Sequence, residues 1–427
     1  MNQKRQRVVV TGLGVCAPNG TVLESFEKSM STGLSGIAYL SELNALNFSC
    51  QIAGKPNIEN IDLNSYFTKI QLRNLNASGL IYGMIAGIDA WRNAGLDRND
   101  NTTDWDGGVI FGTGILGVDK FREAIIQVDA GRVRRLHSNT VGQTMASGIS
   151  AYLSGSLGLG NRVTTNSSAC ATGTEAIILG YESIASGRAK RMLVGSCSDS
   201  GPYVWGGFDA MRILPTTFNE QPEKASRPMS ATASGFVPGS GAGALVLESL
   251  ENALKRNAKI YCEILGGAIN SGGQRNGGSM TAANPLGVQK CILGAIDDAK
   301  INKGEIDVIN GHLTATAKDP DEIENWSIAL ERKGGHFPYI NSFKGHFGHC
   351  LAASGSIESV AAILQFEKGH VFGTMNCGDI HPKILEIVDK EKIVNETLPH
   401  APKIIAKASF GFGDVNACVI FRAIDST

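Results

Sequence analysis

Cys170 lies in the segment VTTNSSACATGTEAIILGYESIASG, where a β-branched run from Val163 to Thr165 gives way to nearly unbroken small residues between Ser167 and Gly173. Ile177, Tyr181 and Ile184 then recur at helical spacing until Gly187 supplies a stop. The pattern predicts a strand-to-helix turn carrying a thiol. Unpaired N–H groups and the positive end of a helix dipole favour thiolate over thiol, and cysteines so placed reach pKa values of about 3.5–7.5. A nucleophile is therefore expected, the alternative being an inert buried thiol. Such a sulfur needs a neighbour that handles its proton or stabilises charge. Of the eight histidines, His312 follows the apolar run Ile306 to Ile309 in INGHLTAT, and His349 follows PYINSFKGHFGH and opens a helix of small residues. Both are placed at the C-terminal ends of predicted strands, the edge where open α/β sheets build their sites.

Other groups surround these three. Lys344 lies five residues before His349 and Glu358 nine after it, among small and apolar neighbours, which makes a buried Lys344–Glu358 pair the expectation. Near the end of the chain SFGFGDVNAC sets Phe412 between Gly411 and Gly413, and an amide of that turn can join the amide of Cys170 in an oxyanion hole. His346 forms an HxxH spacing with His349, but only scattered Cys350 and His381 follow, so no metal site is expected.

The elements that must hold these residues are legible as short β-branched runs: RVVVTGLG, GGVIFGTG, NRVTTNSS, RMLVGS, GALVLES, KIYCEILGG, DVINGH, PYINSF, KIIAKASF and ACVIF, with helical segments between them. Apolar strands bounded by glycine and interleaved with helices indicate an α/β chain whose sheets are covered on both faces. GFVPGSGAGALVLE (235–248) is similar to GFGDVNACVIFR (411–422), and ACATGTEAIIL (169–179) to GHCLAASGSIESVAAIL (348–364). These pairs suggest a duplicated unit, with an N-terminal half over 1–257 and a C-terminal half over 258–427. With 39 Lys+Arg against 40 Asp+Glu the net charge is −1, which gives no bulk reason to bind nucleic acid or an anionic membrane. No apolar run is long enough to span a bilayer, and Thr11, Gly12 and Gly14 break the N-terminal run that a signal peptide would need. Nine cysteines without a CxxC pair fit a reduced, cytoplasmic protein.

Taken together, VVVTGLGVCAPNG, SSACATG, SRPMSATASGFVPGSGAGALVLE, GHLTAT, SFKGHFGH and SFGFGD resemble the β-ketoacyl-acyl carrier protein synthases, in the elongating Cys-His-His branch of the thiolase superfamily. The resemblance runs over essentially the whole chain. It implies a five-layered α-β-α-β-α fold of two duplicated halves, usually a homodimer, with a heterodimer with a related subunit as the other possibility. It implies decarboxylative Claisen condensation of a Cys170-bound acyl group with malonyl-acyl carrier protein, for fatty-acid or specialised polyene or polyketide synthesis. Carried over residue by residue, Cys170 takes the acyl group, the amides of Cys170 and Phe412 hold the oxyanion, and His312 and His349 bind the malonyl thioester carbonyl. Lys344 is the active-site lysine and Glu358 fixes it. Phe236 and Phe412 line or gate the pocket, Thr314 and Thr316 bind the phosphopantetheine arm, and Asn416 is a further substrate contact. No cofactor is needed beyond the phosphopantetheine of the acyl carrier protein. That acidic partner calls for a local basic patch, for which Lys69, Arg73, Arg132, Arg134 and Arg135 are candidates.

The chain departs from the family pattern at two places. Leu313 and Ala315 alter the loop after His312, and Leu313 is expected to add bulk beside the pantetheine tunnel. Asp414 and Val415 replace smaller residues after Gly413, placing a charge and stiffer backbone in the loop that gates the acyl pocket. Altered substrate choice is the expected result, with pocket residues around Ile115 and Leu116 setting the acyl chain. Non-catalytic partner subunits, the chain-length factors, form the competing class, but such chains typically lack the nucleophile. Thiolases and initiating synthases use Cys-His-Asn or Cys-His-Cys sets, and a cysteine hydrolase leaves both histidines unexplained.

Overall fold

All ten apolar runs become strands of one mixed sheet in the computed structural model, which describes residues 5–96 and 102–424. The strands are β1 (Val8–Cys16), β4 (Gly107–Thr113), β5 (Val163–Thr164), β6 (Arg191–Ser198), β7 (Gly241–Ser249), β8 (Cys262–Ser271), β9 (Val308–Asn310), β10 (Tyr339–Asn341), β11 (Ile404–Gly411) and β12 (Val415–Ala423). A separate antiparallel pair, β2 (Ile37–Tyr39) and β3 (Ile52–Gly54), was not anticipated. Its strands are three residues each, and a run that short carries no readable period.

The sheet order is β10-β9-β11-β12-β8-β1-β7-β6-β4-β5. Read outward from the middle, the two halves are the same arrangement: β1-β7-β6-β4-β5 matches β8-β12-β11-β9-β10. Pairing directions match too, parallel around β4 and β9 and antiparallel at β6–β7, β1–β7, β11–β12 and β12–β8. The halves meet where Val8–Val10 of β1 pairs antiparallel with residues 262–264 of β8.

Helices cover this sheet in layers. Ser78–Asn93 and Gly148–Leu157 pack on the outer face of the first half, and Pro285–Ala299 and Asp319–Leu330 on that of the second. Between the halves lie two helices, Thr172–Ala185 and Ser354–Lys368, the former touching β4, β6 and β7 as well as β8 and β12. The result is the five-layered α-β-α-β-α arrangement of thiolase-like folds. Ile177, Ile178, Ile184, Ile357, Val360 and Ile363 fill the central layer at 0–1% exposure, each worth about 1.5–3 kcal/mol of apolar burial.

The two central helices cross at their first turns, and glycine is what lets them. A Cβ on Gly173 would lie 2.4 Å from Ser356 N, and one on Gly355 2.6 Å from Thr174 N. Real Cβ atoms essentially never come so close. Ser196 Oγ and Ser356 Oγ, 2.6 Å apart, close the contact from the side. This crossing brings the turn before one helix, with Cys170, against the turn before the other, with His349.

Candidate active site

Cys170 sits in a tight turn, Ala169–Ala171, that runs directly into the helix Thr172–Ala185. Ala169 adopts φ 47°, a left-handed conformation that aims the following residue out of the chain direction. The end of β11 supports the turn: a Cβ on Gly411 would lie 3.0 Å from Cys170 N and 3.2 Å from Ala171 N, a close approach that glycine makes without displacing the turn. The backbone N–H groups of Phe412 and Cys170 both favour the ionised form of the thiol, the convergence expected of an oxyanion hole.

His349 Nε2 lies 3.1 Å from Cys170 Sγ, and its Nδ1 lies 2.7 Å from Ser354 Oγ. The rings of His312 and His349 stand edge to face, with centroids 5.3 Å apart and planes at 81°. One atom each of Cys170, His312 and His349 falls within a 4.8 Å span, so the three predicted groups converge. Two imidazoles and a thiol could also hold a soft cation, but the Cys170–His349 hydrogen bond already uses one of those contacts, and His346 packs against Phe343 instead. Both catalytic-candidate histidines are buried, whereas Cys170 keeps partial solvent access.

The ionisation state differs from the sequence expectation. Burial pushes the Cys170 thiol up to about 11, outweighing the Phe412 amide and the charge of Lys344, which act the other way. The helix terminus does not yield a resting thiolate, because desolvation outweighs it. Burial also drives both histidines well below the ordinary 6.5, assisted by the positive charges of Lys344 and Lys407, and for His312 by His349 as well. The resting site is thus a neutral thiol donating to a neutral imidazole, with the Nδ1 proton of His349 pointing to Ser354.

Behind the rings, Lys344 Nζ lies 2.5 Å from Glu358 Oε1 and also donates to the carbonyl of His312, an arrangement buried from solvent. The loop bearing His312 is shaped by two carboxylates that sequence reasoning missed. Glu322 accepts from the amides of His312 and Leu313, both at 2.7 Å, and Asp319 accepts from those of Thr314 and Ala315. They hold Leu313 at φ 25° and Ala315 at φ 62°. The only signal for them was a cluster of acids opening the next helix. Ser354 gave none, since it reads as one small residue among several.

Thr314 and Thr316 are partly exposed on this loop, with hydroxyls 3.1 Å apart. Phe236 stands edge-on to His349 at 5.1 Å, and Phe208 bridges Phe236 and Phe412 at 5.5 and 6.1 Å. Two expectations are corrected. Leu313 is fully buried in the apolar core with Ile309 and Ile340, so it does not crowd a tunnel. Asp414 is fully buried as well, and its carboxylate accepts from the amides of Gln274 and Asn284 at 2.9 and 2.8 Å; its charge is consumed in tying the loop down. Asn416 is buried; its Nδ2 donates to Asn270 Oδ1 at 3.0 Å across β12 and β8, and its Oδ1 has no hydrogen-bond partner among the described residues.

Comparison with known proteins agrees with this geometry. The profile of the beta-ketoacyl synthase N-terminal domain matches residues 5–253, and that of the C-terminal domain residues 261–378. The chain is 33% identical over 430 residues to the chloroplastic 3-oxoacyl-[acyl-carrier-protein] synthase I of Arabidopsis thaliana, covering 98% of this chain and 87% of that protein. It is 32% identical over 427 residues to 3-oxoacyl-[acyl-carrier-protein] synthase 2 of Vibrio harveyi, covering 98% and 99%. A type II polyketide ketosynthase, solved in complex with its acyl-carrier protein, superposes with a TM-score of 0.84 at 28% identity over 99% of this chain and 100% of that one. The chain belongs to the β-ketoacyl synthase family, acyltransferases that carry out the condensations of fatty-acid and polyketide assembly.

Proposed function

We propose that Cys170 accepts an acyl group from an acyl carrier protein and that His312 and His349 generate the carbanion that extends it. The convergence of the thiol with both imidazoles carries this reading. In the first half-reaction His349 Nε2 takes the thiol proton as sulfur attacks the acyl thioester, and passes it to the departing phosphopantetheine sulfur. The tetrahedral oxyanion meets the amides of Cys170 and Phe412. In the second, the malonyl thioester carbonyl is held between the two imidazoles. Loss of CO2 leaves an enolate on that oxygen, which donors so placed stabilise by about 3–4 kcal/mol each. Its carbon attacks the acyl group on Cys170, and the sulfur leaves. Phe236, Phe208 and Phe412 wall the acyl side, and Thr314 and Thr316 face the pantetheine arm. Lys344 and Glu358 hold the loop of His312.

The carrier protein docks, in this reading, on the exposed side chains of Lys69, Arg73, Arg132, Arg134 and Arg135. A second copy packs on the helix Val118–Asp129, which buries only Lys120 and leaves Phe121, Ile125, Ile126 and Val128 exposed. We assign the division between the duplicated halves to residues 257 and 258. The nine free cysteines support work in a reducing, cytoplasmic setting. The resemblance calls for no cofactor beyond the carrier's phosphopantetheine.

Intact-protein mass spectrometry after incubation with a panel of acyl carrier proteins tests the reading. One acyl mass retained on the parent and lost in Cys170→Ala supports it. Failure of every acyl group to transfer, with condensation also absent, sinks it in favour of a non-catalytic partner subunit.

A further inference from the structure

Lys407 stands out as a lysine inside the apolar strand β11, fully buried, with Nζ 2.8 Å from Glu358 Oε2. Glu358 is therefore gripped by two ammonium groups, Lys344 on one oxygen and Lys407 on the other. Lys407 also donates to Ala408 O and, at 3.3 Å, to Ser409 Oγ, which lies 2.9 Å from Thr174 Oγ1 in the first turn of the Cys170 helix. A continuous polar path thus runs from the carbonyl of His312 through Lys344, Glu358, Lys407 and Ser409 to the nucleophile helix. Two cations on one carboxylate leave this three-group cluster with one positive charge in surplus. Burying an uncompensated charge is costly, and the Lys344–Glu358 pair would be neutral without Lys407. The groups facing the two imidazoles are Cys170, Lys344, Glu358, Glu322, Asp319 and Lys407. Of the acids among them, Glu358 alone lies within ion-pair distance of Lys407; Glu322 acts on Lys407 from farther off, and the oxygens of Glu322 and Asp319 accept from the amides of the His312 loop. A surplus cation mismatches the neutral resting site but suits the enolate, which is negative. Interactions of that kind accelerate the step instead of tightening substrate binding.

We propose that Lys407 is a positioning residue for the decarboxylation and condensation step, holding Glu358 opposite Lys344 so that a surplus buried cation stands behind His312 and His349. The proposal rests on reading those histidines as the enolate-binding pair. Lys407→Met leaves a neutral Lys344–Glu358 pair, and Lys407→Gln keeps a hydrogen-bond donor without the charge. Both variants should load an acyl group onto Cys170 within about threefold of the parent, while decarboxylation of malonyl-acyl carrier protein falls by about tenfold or more. The acid limb of that decarboxylation should move to higher pH, because the imidazoles lose a cation that opposes their protonation. Equal losses in both half-reactions with an unmoved acid limb, or parent-like decarboxylation in Lys407→Gln, overturn the proposal. Should Lys407→Met not fold, Lys407→Gln decides by the same two readouts. A parent that neither loads nor decarboxylates instead overturns the underlying reading of the site.

Discussion

Ser354 Oγ lies 2.7 Å from Nδ1 of His349, on the far side of the ring from Cys170. A hydroxyl both donates and accepts, so it serves either tautomer: Nε2 free to take the thiol proton, or Nε2–H free to donate to an enolate. Ser354→Ala removes that partner and should slow acyl loading and decarboxylation together, by about tenfold. His312→Ala should separate them, leaving loading within about threefold while decarboxylation falls by about a hundredfold to a thousandfold. Loading read by mass spectrometry and CO2 release measured on the same preparations decide both cases. Equal losses in His312→Ala would remove the division of labour between the rings.

The candidate docking residues come from two chain segments that the fold ties together. Asn139 Nδ2 donates to Arg73 O at 2.5 Å, and Gln143 reaches Asn74 O and the amide of Asn76, both at 3.0 Å. The chain that follows Arg132, Arg134 and Arg135 is thereby tied to the segment that carries Lys69 and Arg73. Reversing the charge of Arg132 and Arg135 should raise the apparent KM for carrier-bound substrate by about tenfold and lessen its salt dependence. Reaction with a short pantetheine thioester should be unchanged; a matching rise there argues for damage to the site rather than lost docking.

Asp414 holds φ 62° and caps two amides of the 272–284 segment, while Gly413 N donates to Met280 O at 2.8 Å. The loop after Phe412 is thereby pinned. Asp414→Ala should cost about 2–4 kcal/mol by leaving two amides without their acceptor, and Asp414→Asn much less. Thermal melting measures this cost. The freed loop should also broaden the range of acyl chains accepted, which competition between short and long acyl carrier proteins reads directly. Unaltered selectivity in a variant that has lost stability would separate the pinning from substrate choice.

His346 is buried, and its imidazole is pushed down to about 4 from the ordinary 6.5. The unfolded chain takes up a proton there at a pH where the folded one does not. Stability from this group is therefore intact above 6.5 and lost as the pH falls toward 4, for a total of about 3 kcal/mol. Denaturant unfolding at pH 7 and pH 4.5 should show a smaller acid loss in His346→Leu than in the parent. Identical losses would assign the acid sensitivity to other groups, His312 and His349 foremost.

Much of the fold was legible because β-branched runs bounded by glycine are a local signal, and every strand of the large sheet carries one. The repeats at 169–179 and 348–364 were readable for a related reason: the helix crossing needs small residues in both copies. Cys170, His312 and His349 could be chosen by placement, since each follows a strand. Their protonation could not, because desolvation depends on what packs over a turn and outweighed the helix end at Cys170. Leu313 was misplaced for the same kind of reason: its φ of 25°, imposed by Glu322 and Asp319 from the following helix, turns the side chain into the core. Lys407 did carry a signal, a charged residue amid KIIAKASF, whose meaning needs its partner Glu358 nearly fifty residues away.

The contact between Gly173 and Gly355 joins corresponding turns of the two matching halves, one supplying sulfur and the other imidazole. Neither copy is chemically complete, so the halves of this chain cannot drift apart in sequence at that point without disarming each other. A methyl group on either side would act as a wedge that drives the attacking atom and its proton acceptor apart.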